Sequence, residues 1–322
     1  MKILITGGLG FIGSNLLNFL LQKKDIKKII ILDKDNITSS SYIHDICRYK
    51  LFNKISDYVP SRSKVEVIRA DVCNYSVALT ICKNIDYIVH LAAESGVDIS
   101  INKPYKSFKT NIIGTFNYLD AARVNNIKGF IFASSSAVFG DMKPPYSEDL
   151  NRIPISPYGS SKLSIESYCE TYSRSFDLNT TILRFSNAYG PYSLHKNSVI
   201  SKFIKNIKTN KKLEIYGDGN HTRDFIYVEE ICQAIYLSIK KSRGCNIYHV
   251  STGTETSMNY LIKKLFRLFG ENIKNVSYQK PRAGDMKKSY SKSTKIKRIL
   301  KWKHGIDLTK GLKKTLGWYN SL

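Results

Sequence analysis

Cysteine does little organising work in this chain. Six residues (Cys47, Cys73, Cys82, Cys169, Cys232, Cys245) are scattered over 322 positions, with no CxxC pair and no Cys/His grouping at metal-ligand spacing. Neither a zinc site nor a disulfide framework is implied, and a reducing, cytoplasmic setting fits best. A run of about 18 apolar residues, the length needed to span a bilayer, is also missing. Met1 is followed almost at once by strand-like KILIT, so no signal peptide and no membrane insertion are expected. Internal repeats and low-complexity linkers are absent. Acidic residues are scarce: 26 Asp and Glu stand against 50 Lys and Arg, a net charge of +24. Such a charge can mark nucleic acid or anionic lipid as partner. The basic residues, however, are spread from Lys23 to Lys314 instead of forming one arm, and Ile and Asn are abundant beside them. A lysine-rich solvated surface is the expectation, with no nucleic-acid partner, although a positive field would help capture a ligand carrying a diphosphate.

What is present is ordinary globular material, 42% hydrophobic and 24% charged, long enough for a large domain and a smaller one. The first two thirds alternate β-branched runs with helical stretches: KILIT (2–6), KKIIILD (27–33), VEVIRAD (65–71), IDYIVHLAA (85–93), GFIFASS (129–135) and NTTILRFSN (179–187). Continuous apolar strands separated by helices predict an α/β fold, a doubly wound parallel sheet covered on both faces. Between residues 34 and 64, Tyr42, Ile46, Tyr49 and Phe52 fall at helical spacing and predict a helix. Beyond Asn187 the pattern changes to short strands (LEIYG, NIYHV, NVSYQK) mixed with helices near 257–269, 292–300 and 308–319. The expected division is a Rossmann domain over 1–186 and, over 187–322, mainly a smaller mixed α/β lobe for substrate.

TGGLGFIG, residues 6–13, joins the first strand to a helix starting near Phe11, with Gly7, Gly10 and Gly13 at GxxGxxG spacing. Glycine permits the tight turn, the close approach of backbone to a pyrophosphate and the close packing of helix on strand, while the helix N-terminus receives phosphate oxygens. Asp33 follows Gly13 by twenty residues, at the end of the second strand, where a carboxylate binds ribose hydroxyls and repels a 2′-phosphate. NAD is therefore expected over NADP, with Lys34 as a countervailing charge.

Tyr158 and Lys162 form YxxxK in PYGSSK, at the start of a helix whose apolar positions Ile165, Cys169, Tyr172 and Phe176 recur at three and four. Positions four apart share a helical face, so the spacing predicts an ammonium beside the phenol, favouring a phenolate that can act as a base. ASSSAVFG (133–140) ends a strand in a row of serines, at the sheet edge where ligands bind.

The combination of TGxxGxxG, Asp71 in RADV, HLAA (90–93), Asn111 in NIIGT, SSSAVFG, YGSSK, RFSNAYGP (184–191), YGDGNHTRDF (216–225) and PRAGD (281–285) resembles the extended short-chain dehydrogenases/reductases. Within them the chain is similar to UDP-sugar 4-epimerases of the galactose and N-acetylglucosamine type, from Met1 to Trp318. The resemblance implies that Phe11, Ile12, Asp33, Asp71, Val72, Leu91, Ala92, Ala93, Asn111, Tyr158 and Lys162 line the NAD site. It makes Ser135 the catalytic serine with Tyr158 and Lys162. It gives Asn187, Arg223 and Arg282 the diphosphate, Tyr216 the neighbourhood of the base, Asp285 the nucleotide ribose, and Ser95, Ser136, Val199 and Ser289 further substrate contacts. The implied chemistry is oxidation at C4, rotation of the keto sugar, and return of the hydride. It also implies a homodimer paired through two helices per subunit, those after Pro104 and at Tyr158. Tyr105, Phe108, Ile112, Phe116 and Leu119 form a stripe expected to pack on the sheet, a similar stripe follows Tyr158, and Ile113 and Tyr118 on the first helix and Leu163 and Tyr168 on the second lie off it.

Related activities differ by single residues. HLAAESGVDIS resembles the 4,6-dehydratases equally, but those enzymes carry Asp-Glu after the catalytic residue, where Ser136 and Ala137 stand here. A uronate 4-epimerase or decarboxylase would need a cation for a carboxylate. His195 and Lys196 are candidates, though a solvated loop is the expectation for them. Ser291 and Lys292 lack the acid that often precedes this pair. A non-catalytic NAD-binding regulator is the alternative outside enzymes, which intact Ser135, Tyr158 and Lys162 oppose. Ser289, four residues after Asp285, takes the place where the resembled epimerases can carry a tyrosine that excludes a C2 N-acetyl group, so UDP-GlcNAc and UDP-GalNAc, and/or UDP-Glc and UDP-Gal, are the expected substrates, with Tyr290 as the alternative gate.

Overall fold

The computed structural model describes residues 1–34, 42–281 and 286–322. The chain opens with β1 (Lys2–Thr6), α1 (Phe11–Leu21) and β2 (Lys28–Asp33). It continues through α2 (Ile43–Ile46), β3 (Lys50–Phe52), β4 (Val65–Arg69), α3 (Tyr75–Ile81) and β5 (Tyr87–His90). Then come α4 (Val97–Asn102), α5 (Pro104–Phe108), a π-helical turn (Lys109–Ile113), α6 (Gly114–Val124), β6 (Gly129–Ser135), α7 (Pro157–Phe176) and β7 (Thr180–Phe185). The remainder contains β8 (Asn187–Tyr189), α8 (Val199–Lys208), β9 (Leu213–Tyr216), β10 (Thr222–Arg223), β11 (Phe225–Tyr227), α9 (Val228–Lys241) and β12 (Cys245–Val250). It closes with β13 (Thr256–Ser257), α10 (Met258–Phe269), β14 (Val276–Gln279), β15 (Lys288–Ser289), α11 (Thr294–Leu300) and α12 (Leu308–Asn320).

Eight strands form one sheet in the order β12-β7-β6-β5-β1-β2-β4-β3, and every pairing in it is parallel. Parallel strands buried on both faces need apolar side chains on both, which is why they read as unbroken Ile/Leu/Val runs. Along β1, Ile3 and Ile5 enter a core shared with α1, α9 and α11. Leu4, between them, enters the core on the other face with α3, α6 and α7. The strand order reverses at β1, between β2 and β5, and the crevice beyond the strand ends at such a point is where ligands bind.

A third core, of α8, α10, α12 and the short strands, builds the smaller lobe. NIYHV does not belong to that lobe: as β12 it pairs with β7 at the edge of the large sheet, so the chain returns to the first layer system after residue 187. The helical spacing from Tyr42 to Phe52 yields only the single turn α2, and Phe52 is instead the buried end of β3 on the sheet edge. Pairing with β4 satisfies one side of this segment's backbone and buries the Phe52 ring. Among the described residues no helix is long and apolar enough to cross a membrane.

Candidate active site

The crevice at the strand-order reversal opens into a cleft of about 1380 Å³, walled by the sheet edge on one side and by the smaller lobe on the other. That exceeds the roughly 300–1,000 Å³ typical of a drug-sized ligand site and suits two extended ligands side by side.

The glycine turn lies along its floor. Gly7 has φ +68, and a Cβ there would stand 2.7 Å from the Cα of Ala92, so the turn closes onto the end of β5 only without a side chain. Gly10 caps α1 with no side-chain hydrogen bond, and no acid lies in the first turn. The helix therefore offers unsatisfied amides and its positive end to the cleft. Asp33 accepts the Leu9 amide at 3.0 Å, which places its carboxylate beside that turn. Lys34 is engaged by Glu94 at 2.7 Å, and Lys106 meets the same carboxylate at 2.9 Å. Glycine cradle, open helix terminus and acid together fit a dinucleotide. Gly7, Gly10, Phe11, Ile12, Gly13, Asp33, Lys34, Val72, Leu91, Ala92 and Ala93 all line the cleft.

Asp71, Asn111 and Lys162, three residues assigned to this site, do not line the cleft. Asp71 is exposed and accepts the Cys73 amide at 2.9 Å, bracing the turn that carries Val72. Asn111 is buried at the π-helical turn, where its side chain accepts the Glu94 amide (2.8 Å) and donates to Glu94 O, Ser107 Oγ and Ser161 Oγ, each at 3.1 Å. It fixes the loop after β5 to both flanking helices, and the π-turn is what brings it there.

On the far wall α7 starts with Ser156 capping the Gly159 amide at 3.1 Å and Pro157 in the first turn. A Cβ on Gly159 would lie 2.5 Å from the Ala137 carbonyl, so glycine between Tyr158 and Lys162 lets the helix reach the serine row. Tyr158 and Ser135 line the cleft together, and Ser135 Oγ accepts the Ala137 amide at 3.1 Å. Burial pushes the phenol above its usual range, while the nearby Ser135 hydroxyl pulls the other way. The YxxxK spacing predicts an ammonium beside the phenol, but Lys162 Nζ lies 5.8 Å from the Tyr158 ring centroid and donates to Ala133 O at 2.8 Å. A buried ammonium takes the nearest acceptor, here the last carbonyls of β6. Burial brings its pKa down to about 8, opposed by the charge of Glu166 one turn along. His90, fully buried between Thr6 Oγ1 (2.9 Å) and Thr115 Oγ1 (3.0 Å), is held neutral by burial, its pKa near 3.

From the smaller lobe Asn187, Val199, Tyr216 and Arg223 line the cleft, and Ser95 does so from the loop after β5. Arg223 Nη1 donates to Thr222 O (2.9 Å) and Met286 O (2.8 Å). Ser136 begins the short helical turn after β6, with Ser134 and Ser135 nearer the cleft. Ser289 is only 3% exposed, in β15 beside Arg223. Arg282 and Asp285 lie outside the described residues.

Several participants escape sequence reasoning. Ser134 and Glu166 are joined at 2.6 Å behind the catalytic pair; an acid four residues past Lys162, between buried Ile165 and Cys169, is the signal for it. Tyr42 walls the cleft from the 34–64 segment and packs on Tyr192 (5.2 Å) and Trp318 (5.3 Å). That contact ties the segment to the smaller lobe. Lys196 is not the solvated residue expected, since it is part-buried in the cleft wall, and His195 beside it also lines the cleft but is exposed.

Comparison with known proteins agrees with this arrangement. Residues 3–251 match the NAD dependent epimerase/dehydratase family. A putative UDP-glucose 4-epimerase of Methanocaldococcus jannaschii is 35% identical over 98% of this chain and 97% of its own length. The solved UDP-N-acetylglucosamine 4-epimerase of Methanobrevibacter ruminantium, in complex with UDP-N-acetylmuramic acid, is 31% identical with a TM-score of 0.87, covering 99% of this chain and 98% of that one. The dTDP-glucose 4,6-dehydratase of Streptomyces venezuelae, solved with NAD, is 28% identical with a TM-score of 0.90, covering 100% and 97%.

Proposed function

The chain belongs to the NAD dependent epimerase/dehydratase family, and from that premise we propose that it interconverts UDP-sugars epimeric at C4, with N-acetylated hexoses as its substrates. The observation that carries this reading is the Ser135–Tyr158 pair on the cleft wall, followed by Ser136 and Ala137. Elimination of water after oxidation needs a further acid and base, and neither of those two side chains can supply a proton at neutral pH. Without that pair a 4-keto sugar can only be reduced again.

Tyr158, as phenolate, takes the proton of the sugar 4-hydroxyl, and Ser135 hydrogen-bonds the same oxygen. Bound NAD supplies the hydride acceptor, and afterwards the donor. Lys162 holds positive charge behind the phenol, lowering the cost of the phenolate. Arg223 and Asn187 anchor the diphosphate, with Arg282 assigned to the same task, so the sugar can turn over while the nucleotide stays fixed. The relative from M. ruminantium acts on UDP-N-acetylglucosamine, which supports the acetylated substrate.

Incubation with UDP-GlcNAc, UDP-Glc, UDP-glucuronate and dTDP-glucose, with C4 epimers resolved by chromatography, tests the reading. A C4 epimer of UDP-GlcNAc is expected. Formation of a 4-keto-6-deoxy sugar from any of them would replace epimerisation with dehydration.

A further inference from the structure

Lys196 reaches the cleft from the loop joining β8 to α8, and that loop is fastened to the cofactor-side helix: Asn15 of α1 donates both to Phe11 O (2.8 Å) and to Pro191 O (2.9 Å). Its ammonium lies 4.4 Å above the ring of Phe11, the first residue of α1, and donates to Ala188 O at 3.2 Å. Among the described residues no carboxylate pairs with it. Of the acids that line the cleft with Asp98, Asp33 accepts the Leu9 amide at 3.0 Å, Glu94 pairs with Lys34 and Lys106, and Glu214 pairs with Lys202 at 3.4 Å. One carbonyl and an aromatic face do not offset the desolvation of a cation, and burial accordingly lowers its pKa to about 8. Two positive features thus converge on one end of the cleft, an uncapped helix terminus without an acid in its first turn and an ammonium held against that turn from the other lobe. No anionic group of the described protein pairs with the ammonium there.

We infer that Lys196 is the counter-cation of the dinucleotide phosphates, so that a loop of the substrate lobe helps retain the cofactor. The helix amides approach the phosphate oxygens from the sheet side, and the ammonium approaches from the lobe side. An ammonium supplies point charge and three donors, which suits phosphate oxygens of variable orientation. The same charge could serve the diphosphate or a carboxylate of the sugar nucleotide, and the test separates these sources.

Binding of NADH, ADP-ribose, adenosine and UDP is measured by fluorescence or calorimetry for the wild type, Lys196→Met and Lys196→Arg, with the cofactor removed beforehand. Loss of one charge-assisted contact predicts that Lys196→Met weakens NADH and ADP-ribose about tenfold or more. Adenosine and UDP keep their affinities, and Lys196→Arg restores most of the loss. Unchanged ADP-ribose binding overturns the inference. So does a loss confined to UDP or to use of UDP-glucuronate, which would assign the cation to substrate, and so does an equal loss for all four ligands.

Discussion

Arg184 lays its guanidinium along both carboxylate oxygens of Glu166, Nε at 2.9 Å from Oε1 and Nη2 at 2.7 Å from Oε2, with neither side chain exposed. Ser134 donates to the same carboxylate at 2.6 Å, and Arg152 approaches it at 3.4 Å. The pair therefore joins the end of β6, the middle of α7 and β7 directly behind Ser135, Tyr158 and Lys162. Buried pairs contribute little net stability compared with apolar residues, but breaking one leaves an uncompensated charge. Glu166→Ala should cost about 3–5 kcal/mol in urea unfolding. Combining it with Arg184→Met should recover much of that loss. A double variant no more stable than the single one would contradict this account.

Glu166 also acts on Lys162, one helical turn away. Burial pulls the Lys162 ammonium down to about 8 and the Glu166 charge holds it up. His90 faces the same lysine from β5 and stays neutral, its pKa near 3. Turnover should thus decline as pH rises through about 8, where Lys162 loses the charge that favours the phenolate. Glu166→Gln keeps the shape and removes the negative charge, so the decline should move to lower pH. A purely structural role would lower kcat without moving that limb of the pH profile, and that result would separate Glu166 from the proton chemistry.

The proton acceptor itself is tested by Tyr158→Phe. Loss of the hydroxyl should lower kcat by about 10²–10⁴ while bound NAD, measured in the purified protein, is retained. Wild-type turnover in this variant would end the mechanism.

The sheet is legible in the sequence because strands buried on both faces must be apolar throughout, and each of the six runs up to Asn187 becomes a strand. Where a pattern has two physical solutions, sequence spacing misleads. Tyr49 and Phe52 keep helical spacing, yet the segment closes as an edge strand that pairs with β4. The helices from Pro104 are harder still: the π-helical turn at Lys109–Ile113 shifts the phase of the apolar stripe. Tyr105 and Phe108, on the stripe expected to pack on the sheet, are 75% and 46% exposed, whereas Tyr118, off that stripe, is fully buried. Lys196 is a candidate cation in the sequence but is expected in a solvated loop, because a lysine in a loop looks solvated until a second lobe folds over it.

That phase shift defines the surface on which a homodimer is proposed. Pro104, Tyr105, Phe108 and Ile112 of one helical run and Pro157 of α7 line a shallow apolar depression, with Ile113 and Tyr168 also exposed nearby on the two helices. Tyr105→Lys with Phe108→Lys should convert a dimer to a monomer in light scattering at micromolar concentration, since two charges desolvated at an apolar contact oppose association. Tyr118→Lys should instead unfold the protein. A wild type that is monomeric under these conditions removes the dimer.

Substrate width turns on Ser289. Its hydroxyl lies near that of Tyr146, whose phenol donates to Met286 Sδ at 3.6 Å and whose ring is fully buried and stacked on Phe139 at 4.6 Å. It thus lies in β15 next to Arg223, which does face the cleft. We propose that this small residue leaves the space in front of β15 open to a C2 acetamido group. A tyrosine at 289 cannot occupy the site of Tyr146 and has to project forward, which would crowd the group at C2. Overpacking a buried position costs about 1–3 kcal/mol, so UDP affinity and thermal unfolding are measured alongside. With UDP binding kept, Ser289→Tyr should lower the ratio of kcat/KM for UDP-GlcNAc over UDP-Glc at least about tenfold, because a clash of roughly 1.4 kcal/mol already produces that factor. Tyr290, partly exposed and joined through its carbonyl to the Tyr146 amide at 3.0 Å, is the competing gate. If Ser289→Tyr leaves the ratio unchanged while Tyr290→Ala raises it, the discriminating residue is Tyr290 and the open space lies one position further along the chain.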